Sequence, residues 1–103
     1  MRAIWSKRAL EQVSETADYI EENFGNKSRR KFVERIFYIV SLLEYNPNLC
    51  RIEQVLEDAP IKFRSILADN YNRIIYHISD SIIEITDVWD MRRDTNKLKK
   101  RLI

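Results

Sequence analysis

Five cations on or beyond the last predicted strands, Arg64, Arg73, Arg92, Arg93 and Lys97, carry the chemistry to hold a phosphate or another anion. A guanidinium presents a planar fork of N–H donors that matches phosphate oxygens two at a time. Grouped arginines also stabilise the charge that develops when a phosphodiester is cleaved. Arg64 and Arg73 fall on successive predicted strands, and Arg92 and Arg93 follow a third. Antiparallel pairing turns residues distant in sequence into neighbours, so Arg64, Arg73 and Arg92 are expected to converge on one surface. The plainer reading gives each arginine a nearby acid such as Glu84, Asp87 or Asp90 and a structural ion pair.

Other chemistries find little footing. His77 is the only histidine and lies mid-strand between Tyr76 and Ile78, a setting that fits packing better than catalysis. Cys50 is the only cysteine, so there is no internal disulfide and no cysteine-rich metal site. The acidic residues show no metal-ligand spacing, and neither a metal nor another cofactor is expected. Paired glycosidase carboxylates are not excluded by spacing, but nothing marks a sugar cleft. The one glycine, Gly25, falls where a helix ends, which leaves no glycine-rich loop to cradle a phosphate.

These residues need a frame. The 103 residues make one domain, residues 1–103, with 45% hydrophobic and 33% charged residues, a soluble globular composition. The net charge of +2 is unevenly spread. Residues 91–103 hold six cations against Asp94, a surplus of five, which leaves the first 90 residues at −3. Such a basic end is either a solvated helix or a surface for phosphate or an acidic partner. No run reaches the roughly 18 apolar residues of a membrane span, no signal peptide stands at the start, and a cytoplasmic location is expected.

Arg2–Trp5 reads as a first strand. Ser6 is placed to cap a helix over residues 7–24, whose stripe is Leu10, Val13, Ala17, Ile20 and Phe24. A second helix over 28–45, capped by Asn26 or Ser28, carries Phe32, Ile36, Ile39 or Val40, and Leu43, and ends before Pro47. Its first turn holds Lys27, Arg29, Arg30 and Lys31, positive charge that opposes the helix dipole. Residues 48–60 read as a short helical turn or an edge strand. From Ile61 to Leu67 the alternation puts Ile61, Phe63, Ser65 and Leu67 on one face and Lys62, Arg64 and Ile66 on the other. The next strand sets Asn72, Ile74, Tyr76 and Ile78 against Arg73, Ile75 and His77. After the turn Ser79-Asp80-Ser81, strand 82–89 groups Ile83, Ile85, Asp87 and Trp89 against Ile82, Glu84, Thr86 and Val88. Both faces are partly apolar, so both are expected to be covered. Asp94 caps a final short helix with Leu98 and Leu102 turned inward. The predicted architecture is a two-layer α+β domain: N-terminal strand, helical hairpin, antiparallel meander, short C-terminal helix.

This order, with Ile4-Trp5-Ser6, Tyr19-Ile20, Phe32 and Tyr45-Asn46-Pro47, resembles the RelE/ParE family of bacterial type II toxin–antitoxin toxins. The resemblance is most specific in the stretches from Tyr71 to Ile78 and from Ile83 to Arg92. It implies a small toxin neutralised by an antitoxin encoded beside it. RelE-like members enter the ribosomal A site and cut mRNA without a metal, using the 2′-hydroxyl as nucleophile; ParE-like members poison DNA gyrase. By resemblance, Arg73 matches the strand arginine of an R-x-x-Y pattern that contacts the scissile phosphate in the ribonuclease branch. Arg64 and Arg92 match basic positions one strand earlier and after the last strand, and Glu53 lies near the place of a general base.

The departures have chemical weight. Ile66 stands where a second basic residue is expected, Asp90 where a histidine is common, and no tyrosine or histidine follows Trp89. A ribonuclease needs a proton donor for its 5′-oxygen leaving group, and arginine, always protonated, is a poor one. The resemblance with these gaps implies a ParE-like, gyrase-directed toxin. The alternatives are a RelE-like mRNA endonuclease using Arg64, Arg73 and Arg92, and an inactive toxin-fold binding protein. Each implies an acidic, partly disordered antitoxin segment against the hairpin and sheet in a hetero-oligomer.

Overall fold

The computed structural model describes residues 1–103. Strand β1 (Arg2–Trp5) leads into helix α1 (Lys7–Phe24), capped by Ser6, whose hydroxyl accepts from Ala9 N–H. Gly25 ends α1 with φ +93°, in the positive-φ region that favours glycine, and its N–H reaches Glu21 O. The same glycine begins α2 (Asn26–Tyr45), with no side-chain cap. The expected start at residue 28 with Asn26 or Ser28 as cap is thus corrected: Gly25 turns the chain so sharply that Asn26 is already helical. Arg29 donates to Asp18 at 2.6 Å and Glu21 at 2.9 Å across the hairpin, which gives one cation of that basic first turn a structural partner. Helix α2 stops at Asn46, just before Pro47.

The chain then forms a two-residue edge strand, β2 (Arg51–Ile52), and a 3₁₀ turn (Gln54–Leu56). Strands β3 (Arg64–Leu67), β4 (Asn72–Ser79) and β5 (Ile82–Asp90) make the meander, and α3 (Thr95–Leu102), capped by Asp94, closes the chain. The sheet order is β1-β5-β4-β3-β2, with β1 parallel to β5 and the other pairs antiparallel. Strand β3 begins at Arg64, three residues later than the alternation predicts, because β2 is too short to pair with Ile61–Phe63.

The hairpin covers one face of the sheet. Its core joins Ala9, Val13 and Ala17 of α1 and Phe32, Ile36, Ile39, Val40 and Leu43 of α2 to Ile74, Tyr76, Ile83, Ile85 and Val88. Val13 and Ala17 of the expected α1 stripe are buried and Ile20 packs beside them, but Leu10 and Phe24 at its ends are exposed, and the small Ala9 is buried in place of Leu10. The opposite face carries a smaller core of Leu56, Phe63, Ile75, Trp89 and Leu98 under α3.

Strand β5 departs from simple alternation. Ile75 pairs with Asp87 and Tyr76 with Ile85, so Thr86 is an extra residue in a β-bulge. The Thr86 hydroxyl donates to Ile75 O at 3.1 Å. Ile83 and Ile85 therefore join Val88 on the hairpin face, and Asp87 and Trp89 turn to the other. The predicted grouping of Ile83 and Ile85 with Asp87 and Trp89 is corrected by that one residue.

Candidate functional site

The register assigns each arginine to a face. Arg64 pairs with Tyr76 and so projects on the hairpin side; Arg73 pairs with Leu67 and Trp89 and projects on the α3 side. Arg64 donates to Cys50 O at 2.7 Å, beside the Tyr76 hydroxyl, which donates to Pro47 O at 2.9 Å. Burial, chiefly, pushes the Tyr76 phenol well above its usual 10.0, so it stays a donor. Arg92 forms a two-pronged pair with Asp90, at 3.0 and 2.8 Å, and lies 4.3 Å from the centre of the Tyr71 ring. The Arg92 hydrogen bond holds the Asp90 carboxyl below its ordinary value. Arg93 lies 5.2 Å over the Trp89 ring, and Lys97 is exposed on α3. The structure thus brings Arg92, Arg93 and Lys97 to one end of the molecule and separates Arg64 from Arg73 by the thickness of the sheet. The expected convergence of Arg64, Arg73 and Arg92 is not what the fold builds, because two adjacent strands present them with opposite parity.

Around Arg73 a different group assembles. Its Nη1 donates to Ser65 Oγ at 2.9 Å and stands 3.6 Å from Glu53 Oε2. Ser65 Oγ in turn donates to Glu53 Oε2. Glu53 is fixed by the 3₁₀ turn, where its other oxygen accepts from Val55 N–H. Four residues further along β4 and on the same face, His77 Nε2 lies 2.8 Å from Glu84 Oε2, with the His77 ring edge-on to Phe63. A carboxylate, a hydroxyl and a guanidinium on one face can position an anion and accept a proton. Ser65 gave no sequence signal, since its partners lie 8 and 12 residues away through folding.

A second feature is an open groove of about 490 Å³ between α1 and the end of β5, lined by Gln12, Thr16, Tyr19, Asp90, Arg92 and Arg93 among others. Gln12 works at its inner end: Oε1 accepts from Val88 N–H at 2.7 Å, and Nε2 donates to Asp87 at 2.8 Å. Asp87, wholly buried, also receives Arg101 of α3. The readable signal was an acid inside the apolar run Ile85-Thr86-Asp87-Val88-Trp89, which needs a partner once buried.

The fold has known counterparts. It is similar to a chain of the chromosomal ParDE toxin–antitoxin system from P. aeruginosa, with a TM-score of 0.73 and 16% identity, over 87% of this chain and 95% of that one. The YoeB dimer from Staphylococcus aureus follows at 0.58 and 17%, covering 85% of this chain and 93% of that one. A YoeB/ParE toxin from Agrobacterium tumefaciens gives 0.55 and 16%, covering 87% and 98%. No curated protein matches the sequence. The family model for the ParE toxin of the type II toxin–antitoxin system parDE matches residues 3–95. That span runs from β1 through the sheet and both clusters to the first residue of α3, and the chain belongs to the ParE toxins of type II toxin–antitoxin systems.

Proposed function

We propose that this chain arrests growth by binding DNA gyrase and that a cognate antitoxin neutralises it in the cytoplasm. The observation that carries the reading is the dispersal of Arg64, Arg73 and Arg92, each already held by an internal acceptor. A ribonuclease needs such cations turned together on one phosphate; a toxin that works by binding does not. The exposed end with Arg92, Arg93 and Lys97 is its target-binding surface. The antitoxin is an acidic segment lying on the hairpin, where Tyr19, Phe24, Tyr38 and Tyr45 are exposed. Solved relatives of the fold include a YoeB–YefM toxin–antitoxin complex from Staphylococcus aureus, which supports a partner of this kind. The test is induction without antitoxin, followed by assay of gyrase-linked DNA breaks. Breaks that disappear in a gyrase-resistant strain are expected. Growth arrest with intact DNA overturns the gyrase target, and unimpaired growth identifies an inactive toxin fold.

The Glu53–Ser65–Arg73 group favours a second reading, a metal-independent mRNA endonuclease. Glu53 would serve as base and Arg73 as the phosphate contact, with His77 on the same face. Mapping mRNA 5′ ends minutes after induction separates the two readings. New in-frame breaks that vanish in Arg73→Ala would establish the nuclease.

A further inference from the structure

The first turn of α2 carries charge of the wrong sign for its place. Lys27, Arg30 and Lys31 stand at a helix N-terminus that has no side-chain cap and no acid in its first turn. Positive charge there opposes the helix dipole. Arg29 meets Asp18 and Glu21, but Lys27, Arg30, Lys31 and Arg35 have no ion-pair partner. The helical period sets Lys27, Lys31, Arg35, Tyr38, Leu42 and Tyr45 on one stripe, three or four residues apart. It lies opposite the buried row through Phe32, Ile36 and Leu43, and every member is exposed. Over about 27 Å the stripe changes from cationic to apolar. Tyr45, at 93% exposure, has almost nothing against it, whereas Phe37, further round the helix, has Trp5 at 5.3 Å.

Beside the cationic half, a groove of about 430 Å³ opens between α2 and the turn that joins β3 to β4, lined by Lys31, Phe32, Arg35, Ala68, Asp69 and Asn70. Arg35 Nε donates to Ala68 O at 3.1 Å, which holds the guanidinium there and leaves its terminal nitrogens without an acceptor. Asp69 forms no ion pair on this side; its Oδ1 accepts from Tyr71 and Asn72 N–H, both at 2.8 Å, within its own turn. The outward face of α1 has the opposite sign. Glu11, Glu15, Asp18 and Glu22 line it, and Glu15 and Glu22 have no cation. An acidic partner is repelled by α1 and drawn to α2. A phosphate backbone would meet the cations but bury nothing against Tyr38, Leu42 and Tyr45. The α1 stripe of a second copy would bring acids but no apolar row.

On the reading that an acidic antitoxin neutralises this chain, we propose that the outward face of α2 is the docking surface for one amphipathic helix of that antitoxin. Its acids lie against Lys27, Lys31 and Arg35, and its apolar residues against Tyr38, Leu42 and Tyr45. A helix fits because its own spacing of three and four residues meets that of α2 when the two pack lengthwise. Its acids supply the negative charge that the first turn of α2 lacks, and its apolar half takes Leu42 and Tyr45 out of water.

The test measures binding of the full chain to the antitoxin encoded beside it, by calorimetry. Lys27→Glu with Lys31→Glu is expected to weaken binding about tenfold or more, and so is Leu42→Ser with Tyr45→Ser. The acidic pair suits the dipole of α2, so its melting temperature is expected to stay at the parent's value or above. Glu11→Lys with Glu22→Lys on α1 is expected to bind at least as tightly as the parent. Undiminished binding by both α2 variants overturns the docking face and leaves the antitoxin reading standing. An antitoxin that does not bind even the parent strikes that reading, and a peptide then decides the docking face alone. It is a blocked helix of about 18 residues, the length of the stripe, with glutamates along one stripe of its first half and leucines along the same stripe of its second. Titrated into ¹⁵N-labelled chain, it is expected to shift amides of α2 and the β3–β4 turn. Shifts confined to other elements, or none at millimolar peptide, overturn the proposal.

Discussion

Asp87 is wholly buried, and a carboxylate there must be matched in charge and hydrogen bonds or it is costly to keep ionised. Arg101 supplies the charge and Gln12 a further donor. Removing only the cation leaves the acid uncompensated. Arg101→Ala is expected to destabilise the fold by about 3 kcal/mol, by the usual cost of breaking a buried pair. The double variant Asp87→Leu with Arg101→Met removes both charges and is expected to recover most of that loss. Urea unfolding of the singles and the double checks this as a cycle. A double variant as unstable as the sum of the singles would deny the coupling.

Asp90 contributes differently, because it sits at the surface with Arg92. The Arg92 hydrogen bond holds its folded carboxyl below the ordinary value of 3.8. The pair's contribution is therefore fully present above 3.8 and is lost as pH falls through the lower folded value. Asp90→Asn is expected to lower the neutral plateau slightly, since exposed pairs are weak, and to flatten the acid limb by the same small amount, so that the two profiles converge below the folded value. Unfolding midpoints of both proteins across the acid range decide it; parallel acid limbs would refute the assignment.

At the scale of elements, Gly25 serves as the end of one helix and the start of the next. Its φ of +93° with ψ of 172° is a combination open almost solely to glycine. A Cβ there meets no atom within 4 Å, so the cost of substitution is backbone strain alone. Gly25→Ala is expected to cost about 1–3 kcal/mol, read from thermal unfolding. A smaller loss would mean that the hairpin turn relaxes.

The elements were the legible part of the sequence. Helical spacing announced α2 through Phe32, Ile36 and Leu43, and Ser6 and Asp94 announced their caps, because these signals are local. The Thr86 bulge was not legible, since an inserted residue leaves the apolar composition of β5 unchanged and only the pairing with Ile75 reveals it. The candidate site suffered more from the same cause. Arg73, Arg92 and their types could be read, but the face of each arginine depends on strand parity. Arg73's partners, Ser65 and Glu53, come from a different strand and from a turn whose position no periodicity fixes.

Over the whole molecule, α3 holds the second core in place and also carries much of the basic surplus. Deleting residues 95–103 uncovers Leu56, Phe63, Ile75 and Trp89 and strips Asp87 of Arg101. Loss of Leu98 burial removes about 2 kcal/mol, and the orphaned carboxylate adds about 3 kcal/mol. A domain of this size has about 5–15 kcal/mol in all. At about 4–8 °C per kcal/mol for a small domain, the melting temperature is expected to fall by roughly 20 °C or more. The truncated chain is also expected to bind a dye for exposed apolar surface. The charge of α3 can be removed separately, because Lys97 and Lys100 are exposed and outside the core. Lys97→Gln with Lys100→Gln is expected to melt within about 2 °C of the parent, as surface changes commonly do. The same variant is expected to weaken the salt-sensitive part of target or antitoxin binding. If the truncated chain melts within a few degrees of the full one, α3 is an appendage rather than a structural layer. If the lysine variant binds unchanged, the basic end of the molecule is solvated surface and the target-binding surface lies elsewhere.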